Sequence, residues 1–335
     1  MKKPIIFSGI QPTGNLHVGN YLGAVKQWVE LQNSDAFDCY FCIVDYHALT
    51  GNRTASERRE QIVQTATELL ALGIDPDKCT FFVQSHVPEH TELGWIFSSI
   101  TPVSELNRMT QYKDKSKDQS KNINAGLYTY PILQAADILL YHGAVVPVGE
   151  DQVQHVELTR NIARWFNKRY GSPQSGVASD YFPETRVKLT DLPRVKSLLD
   201  PTKKMSKSLG LGHVIELADE PDVIEKKLAK AVTATVSGKR SPGVENLLLM
   251  LKHFVPPEMH QRYSAQEKIG TIRYGDLKRD LAQAIAVTFA EFRVQRSKLL
   301  QSPEVVHSLL ATGAKKARAV AMQTMEKVRQ LVGVR

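Results

Sequence analysis

Short apolar runs alternate with amphipathic segments along roughly the first 160 residues of the chain. The runs of strand length, rich in β-branched or aromatic residues, are Ile5–Phe7, Tyr40–Val44, Phe81–Val83 and Ala144–Val148. The segments between them that repeat apolar residues at helical spacing are Tyr21–Leu31, Glu57–Leu72 and Tyr130–Tyr141. Strands that alternate with helices predict βαβ units and a doubly wound, mostly parallel α/β sheet of the Rossmann-like kind.

The strand pattern fades after Pro221, and helical patterns take over. The candidate helices are Asp222–Val232, Glu245–Phe254, Tyr274–Gln301 and Pro303–Val332. The intervening polar stretches, Lys113–Asn124 and Ser172–Pro183, are predicted loops. We therefore predict an α/β nucleotide-binding domain over residues 1–208 and an all-helical domain over residues 209–335.

Composition agrees with two domains. The chain has 335 residues, of which 42% are hydrophobic, enough for a large core. No apolar run approaches the ~20 residues of a membrane span. The first apolar stretch ends at Ser8 and Gly9, too short for a signal peptide. A cytoplasmic protein without a membrane partner is the expectation.

The cysteine spacing raises the possibility of a redox or metal site. Cys39 and Cys42 form a CxxC, and the third cysteine is Cys79. Positions three apart in a strand face opposite sides of the sheet, and no second CxxC completes a zinc site. The pattern favours core packing, and no metal site is predicted.

The formal net charge of +8 suggests a polyanionic partner. Residues 313–335 concentrate the basic character, with one acid, Glu326, among six cations. Those cations are Lys315, Lys316, Arg318, Lys327, Arg329 and Arg335. A nucleic-acid contact and an ordinary solvated helix face both explain this run.

Two segments carry candidate phosphate chemistry. The turn between the first strand and the following helix contains three glycines, Gly9, Gly14 and Gly19. Glycine lets the backbone approach a ligand closely, and the free N–H groups at the helix start can bind an anion. His17 and Asn20 lie at that helix start and could donate to a phosphate. Farther along the chain, Lys204 and Lys207 alternate with hydroxyl residues, and two ammonium groups can neutralise charge on departing pyrophosphate. Each segment alone also fits a plain turn or a surface charge run.

Together the two segments resemble the signatures of class I aminoacyl-tRNA synthetases. His17-Val18-Gly19-Asn20 is similar to the HIGH element, and Lys204-Met205-Ser206-Lys207-Ser208 matches the KMSKS loop. The flanking motifs are similar to those of tryptophanyl-tRNA synthetases. They are Ser8–Gly14, Cys42–Ala48, Arg108–Ser116 and Val146–Gln152. The resemblance covers nearly the whole chain.

That resemblance implies an enzyme that activates L-tryptophan with ATP and passes it to the terminal ribose of tRNA(Trp). ATP would be a substrate, with Mg²⁺ bound through its phosphates. The resemblance also implies a homodimer with its interface near residues 85–130, and a tRNA anticodon-binding role for residues 209–335. The implied catalytic residues are His17, Asn20, Lys115, Lys204 and Lys207.

The resemblance also assigns the binding residues. The ATP-binding set is Gly9, Gln11, Thr13, Gly19, Asn20, Gly149, Asp151, Lys204, Met205, Ser206 and Lys207. The tryptophan-binding set is Phe7, His47, Tyr130, Gln134, Asp137, Ile138, Val146, Val148 and Gln152. Asp137 would accept the indole N–H, although a buried carboxylate can also be satisfied by the protein's own backbone. An Asp137 satisfied only by the indole would reject phenylalanine, because the carboxylate would stay unpaired.

Three rival hypotheses remain. The first is a tyrosyl-type synthetase. It is suggested by Gln134, because many tryptophan enzymes carry Met at that position and an amide there is also a trait of tyrosyl-type synthetases. A small-molecule adenylyltransferase shares the turn chemistry, but it has no use for a helical domain with a basic end. A non-catalytic RNA-binding relative should have lost a site residue, whereas all the expected ones are present.

Overall fold

Five parallel strands form one sheet in the computed structural model, which describes residues 3–109, 123–171, 180–189, 193–233 and 241–334. The strands are β1 (Ile5–Ile10), β2 (Asp38–Ile43), β3 (Thr80–Val83), β4 (Val145–Val148) and β5 (Arg186–Leu189). Their order is β3-β2-β1-β4-β5, as in a doubly wound sheet. The predicted fold class is confirmed. β5 was not predicted because its edge position leaves it largely exposed and its residues alternate with charges.

The buried run of β2 separates two apolar layers. Cys39 packs in one cluster with Trp28 and Phe41, whereas Cys42 packs with Phe7 in the cluster on the other side. Both thiols are fully buried. The predicted core packing of this CxxC is therefore confirmed, because the period of two along a strand sends the two side chains to opposite faces.

Helices surround this sheet and then continue to the C-terminus. In the first half they are α1 (Val18–Asn20), α2 (Lys26–Asn33), α3 (Ala55–Ala71), α4 (Glu89–Ser98), α5 (Val103–Asn107), α6 (Ala125–Leu139) and α7 (Val153–Tyr170). In the second half they are α8 (Pro221–Ala229), α9 (Pro242–Phe254), α10 (Pro257–Lys268), α11 (Tyr274–Thr288), α12 (Ala290–Leu300) and α13 (Pro303–Val332). A π-helical turn, Tyr21–Val25, links α1 to α2. None of the helices in the described ranges is both long and apolar enough to cross a membrane.

Several helix limits differ from the prediction. The segment predicted as one helix, Tyr274–Gln301, breaks at Phe289, whose backbone leaves the helical region while its ring is buried. The helix predicted from Tyr130 begins at Ala125, where the Asn124 side chain accepts from the N–H of Leu127. Helix α10 was missed because it is polar and buries only Tyr263. Periodicity does not detect caps or tertiary breaks.

The last helix returns to the sheet. Gly313 of α13 lies against the backbone of Phe81 in β3, where an added Cβ would come within 1.7 Å of the Phe81 carbonyl oxygen. Along the same helix, Arg318 pairs with Glu89 at 3.1 Å and Arg329 pairs with Glu92. The basic C-terminal run is therefore partly neutralised by the first half of the chain.

Candidate active site

The candidate site lies where the carboxyl ends of β1 and β4 meet. These strands are neighbours in the sheet, and their connections lead away in opposite directions, which creates the crevice used by ligands of open α/β sheets. β1 runs into the turn that precedes α1, and β4 runs through Gly149 into a 3-10 turn at Glu150–Gln152. The two motif regions predicted from the sequence, Ser8–Gly14 and Val146–Gln152, thus meet at the carboxyl end of the sheet.

The turn after β1 is built around His17 and Asn20. The His17 N–H donates to Asn20 Oδ1 at 3.0 Å, and the Asn20 N–H donates to His17 Nδ1 at 3.3 Å. This reciprocal pair is a capping box, which satisfies two backbone donors at the helix start. Gly14 has a φ of 77°, a left-handed conformation that favours glycine.

The capping box determines which His17 nitrogen can serve a ligand. Because Nδ1 accepts a hydrogen bond, the proton of a neutral ring resides on Nε2, which is then a donor. Burial, together with the charges of Lys207 and Lys204, lowers the pKa of His17 to about 4. His17 is therefore a neutral hydrogen-bond donor at pH 7.

The second lysine of the KMSKS loop reaches the turn. Lys207 Nζ donates to the carbonyl oxygens of Thr13 at 2.6 Å and Asn15 at 2.7 Å. An ammonium has three N–H groups, so the third can donate to a phosphate. Burial lowers the pKa of Lys207 from its ordinary value. Two segments almost two hundred residues apart in sequence thus form one cationic centre.

Backbone and core contacts anchor the same loop. The Met205 side chain is buried in the core, and its N–H donates to the carbonyl of Val195 at 3.0 Å. Lys204 forms an antiparallel bridge with Lys196, and its side chain is exposed. Met205, predicted to bind ATP, thus directs its side chain inward, whereas Lys204 extends outward.

The chain beyond the loop is also tied to the turn. The Val18 N–H donates to the Ile215 carbonyl at 2.9 Å, and the Leu217 N–H donates to the Leu16 carbonyl at 2.9 Å. This short antiparallel pairing fixes the position of residues 14–17, which we call the phosphate turn, relative to the KMSKS loop.

A second polar centre surrounds Asp137 on α6. The Asp137 side chain is only 1% exposed. Its Oδ2 lies 2.8 Å from His47 Nε2, and its Oδ1 lies 2.6 Å from His90 Nδ1. Gln84 Nε2 donates to the same Oδ1 at 2.7 Å. The Tyr141 hydroxyl lies 2.8 Å from His90 Nε2 and completes the network.

These contacts show that the indole N–H is not the sole group that can satisfy Asp137, which was the condition for a strong rejection of phenylalanine. Three side chains already satisfy the carboxylate, so it is not left unpaired when the indole is absent. Burial alone would raise the pKa of Asp137, but hydrogen bonds from His47 and His90 outweigh burial and hold the pKa well below its usual value. Asp137 is therefore an ionised acceptor with a fixed orientation.

Other residues predicted to bind tryptophan line the same region. Phe7 is buried and stacks on Tyr141 with 5.8 Å between ring centroids. The Tyr130 hydroxyl lies 2.8 Å from His155 Nε2, and its ring meets His47 edge-on. The remaining residues are buried (Ile138, Val146 and Val148) or half-buried (Gln134 and Gln152).

Some predicted residues cannot be placed in full. Lys115 and most of the Arg108–Ser116 motif lie outside the described residues. The backbone of Asp151 follows Gly149 after β4, but its side chain is also outside them. Of the predicted ATP-binding residues on β1 and the turn, Gly9 and Gln11 are exposed and Thr13 is half-buried.

Sequence reasoning missed Gln84 and His90, which hold Asp137. It also missed Asn15, which lies in the phosphate turn, and Glu68 and Arg296, which contact that turn. These residues lie in ordinary helix or turn positions, and long-range contacts bring them to the site. The only local signal was that Glu68 and His90 are polar residues within apolar helical patterns.

The fold and the converging motifs define a class I aminoacyl-tRNA synthetase. The profile of the family described as tRNA synthetases class I (W and Y) matches residues 1–290, and the chain belongs to that family. It is 45% identical to the tryptophan–tRNA ligase of Bacillus anthracis, over 98% of each chain. It is 41% identical to that of Clostridium perfringens, over 99% of this chain and 98% of the relative.

A solved structure agrees with these relatives. The tryptophanyl-tRNA synthetase of Campylobacter jejuni, complexed with ADP and tryptophan, superposes with a TM-score of 0.82 at 33% identity. The match covers 98% of this chain and 99% of that one. The similarity therefore extends over both the sheet and the C-terminal helices.

Proposed function

We infer that this chain is a tryptophan–tRNA ligase. It activates L-tryptophan with ATP, forming tryptophanyl-adenylate and pyrophosphate, and then transfers the amino acid to the 3′-terminal ribose of tRNA(Trp). The relatives and the solved structure named above carry that activity in their names. The structural observation that carries the proposal is the contact of Lys207 with Thr13 and Asn15.

In the adenylation step the amino-acid carboxylate attacks the α-phosphate of ATP, the bond to the β-phosphate breaks, and pyrophosphate leaves. A carboxylate is already a nucleophile, so the protein has to supply position and charge. His17 donates from Nε2 on one side of the phosphates, and Lys207 donates from the other. Mg²⁺ would arrive with ATP, bound through phosphate oxygens.

The amino acid is selected at Asp137. An ionised carboxylate held by three side chains accepts the indole N–H without having to reorient, and the aromatic and aliphatic residues around it receive the ring. Gln134 favours the tyrosyl-type rival, because an amide can bind a phenol hydroxyl. The curated relatives favour tryptophan.

We also propose that residues 209–335 bind the tRNA anticodon region and that two chains form a dimer in the cytoplasm. The dimer is supported by exposed apolar side chains within the predicted interface, residues 85–130. Trp95 is 78% exposed, Val103 is 64% exposed and Ile123 is 53% exposed. Apolar surface of this kind marks a protein-binding site when it forms a patch.

ATP–pyrophosphate exchange with tryptophan, tyrosine and phenylalanine, compared side by side, tests the proposal. Exchange with tryptophan alone is the expected result. Exchange with tyrosine instead would favour the tyrosyl-type rival, and a protein inactive with all three would favour the non-catalytic relative. Charging of tRNA(Trp) transcripts tests the second step.

A further inference from the structure

A buried ion pair joins the helical half of the chain to the phosphate turn. Glu68 on α3 is fully buried, and its Oε1 accepts from the Nε of Arg296 on α12 at 2.9 Å. Its Oε2 accepts from the backbone N–H of Leu16. One carboxylate therefore connects α12 to the residue that directly precedes His17.

Arg296 also contacts the turn itself. Its Nη2 donates to Asn15 Oδ1 at 3.1 Å, and Gln64 donates to the same oxygen. The carbonyl oxygen of Asn15 accepts from Lys207. The guanidinium thus touches the residue that holds the KMSKS lysine, and it reaches the turn by two independent routes.

The charge on Arg296 keeps this arrangement together. Burial raises the pKa of Glu68 to about 7, against the opposing effects of the Leu16 N–H, Arg296 and Lys207. Among the residues that the structure describes, the charged groups that act on Glu68 are Arg296 and Lys207. Without the guanidinium, Glu68 would be protonated at neutral pH, and a protonated carboxyl is a weaker acceptor for the Leu16 N–H.

We propose that Arg296 is a positioning residue for the activation of ATP: through Glu68 and Asn15 it holds the phosphate turn in the geometry where His17 and Lys207 converge. The proposal rests on the function inferred above. Because α12 belongs to the helical half assigned to tRNA, a displacement of that half would move the Arg296 guanidinium and so change the geometry of the phosphate turn around ATP.

A second ion pair in the chain provides a matched control. Arg329 on α13 pairs with Glu92 on α4, with Nε and Oε1 2.8 Å apart, and so also joins the helical half to the first half. The two guanidinium side chains are similarly exposed, 19% for Arg296 and 23% for Arg329. Glu92, however, lies on α4, so this ion pair does not contact the phosphate turn.

The experiment compares full-length Arg296→Met and Arg329→Met with the wild-type chain. ATP affinity is measured by equilibrium dialysis without amino acid, and turnover by ATP–pyrophosphate exchange with tryptophan. We expect Arg296→Met to weaken ATP binding and lower the exchange kcat, each by about 10- to 100-fold, since small misplacements of reacting groups have effects of this size. Tryptophan affinity should stay unchanged, and Arg329→Met should match the wild type in all three measurements.

A pH profile separates positioning from a general loss of stability. In the wild type, ATP-dependent activity should fall as the pH drops through about 7, where Glu68 takes up a proton. Arg296→Met should move this limb to higher pH, and Glu68→Gln should abolish it. In the Glu68→Gln background, adding Arg296→Met should cause a smaller loss than it causes in the wild type, because the route through Glu68 is already altered and only the contact with Asn15 remains to be lost.

Unchanged ATP affinity together with an unchanged pH profile in Arg296→Met would overturn the proposal. Equal losses in Arg296→Met and Arg329→Met would also overturn it, since that result indicates only weakened domain packing. If the wild type shows no tryptophan-dependent exchange, the inferred function fails, and the ATP dialysis still decides the role of Arg296.

Discussion

His90 lies against Asp137, with 2.6 Å between Nδ1 and Oδ1, although neither residue is exposed to solvent by more than 1%. The Tyr141 hydroxyl contacts the other ring nitrogen of His90. Burial raises the pKa of Tyr141 well above its ordinary value, so its hydroxyl keeps its proton. Because the ionised Asp137 can only accept, His90 donates to it from Nδ1, and His90 Nε2 can accept from the Tyr141 hydroxyl. His90 is thereby held in the tautomer that donates from Nδ1, and Asp137 is held as an acceptor.

Asp137→Asn should impair tryptophan use far more than ATP use. The new amide would replace one carboxylate oxygen with an NH2 group that faces His47, or His90 and Gln84, which are themselves donors, and the remaining oxygen would be an uncharged, weaker acceptor for the indole. We expect kcat/KM for tryptophan to fall by about 100-fold or more. The KM for ATP should stay within about threefold of the wild-type value, because Asp137 does not contribute to ATP binding. Steady-state exchange kinetics with each substrate varied measure both, and equal changes in both KM values would indicate a structural role.

The low pKa of Asp137 also predicts an acid-sensitive stability. A carboxylate whose folded pKa lies below the unfolded value of 3.8 stabilises the fold above that pH. This contribution is lost as the pH falls below about 4 and the group approaches its folded pKa. Urea unfolding between pH 3 and pH 6 should show a smaller pH dependence in Asp137→Asn than in the wild type. Parallel curves would contradict the assignment.

Lys207→Ala should slow adenylation while tryptophan binding is retained. The ammonium is lost from the phosphate side of the site, and removal of one such donor costs roughly 10²- to 10³-fold in rate. Lys203→Ala is the control, because that lysine lies in the same segment but is 61% exposed and pairs with Asp200. Single-turnover adenylate formation in a quench-flow instrument separates the two variants. A Lys207→Ala rate equal to that of the control would reject the assigned role.

His17 should contribute as a neutral donor. Since its folded pKa of about 4 lies below the unfolded value of 6.5, its contribution to stability is present above pH 6.5 and is lost as the pH falls towards 4. His17→Asn keeps a capping side chain and an N–H donor, so it should retain more adenylation activity than His17→Ala. Thermal unfolding from pH 4 to 7 should be less pH-dependent in His17→Asn. A catalytic ionisation near pH 6.5 that disappears in His17→Asn would show instead that the ring is charged during turnover.

Trp95→Glu should convert the proposed dimer into a monomer. A charge placed in an apolar interface would have to be buried without a partner, which opposes association. Ile269→Glu is the control, because Ile269 is 73% exposed and lies outside residues 85–130. Sedimentation velocity of the three proteins measures the assembly. A wild-type chain that sediments as a monomer would refute the dimer.

The sequence pattern predicted the sheet but not every helix. Four of the five strands are apolar runs that local composition identifies, whereas β5 and α10 carry too few buried residues to leave a pattern. The break at Phe289 is likewise invisible in the sequence, because apolar spacing continues through it. Its ring packs on Tyr21, Phe254 and Phe292, and that environment exists only in the folded chain.

The class of the enzyme was determined by the sequence alone. The chemistry of phosphate handling resides in short contiguous segments, where the backbone N–H groups and His17 are set by neighbours a few positions away. The tertiary structure decided what surrounds them. The donors to Asp137 are distant in sequence: Gln84 is separated from it by 53 positions, His90 by 47 and His47 by 90. Glu68 and Arg296 are 228 positions apart. Such contacts follow from the packing of whole helices, so no local pattern of residues could have specified them.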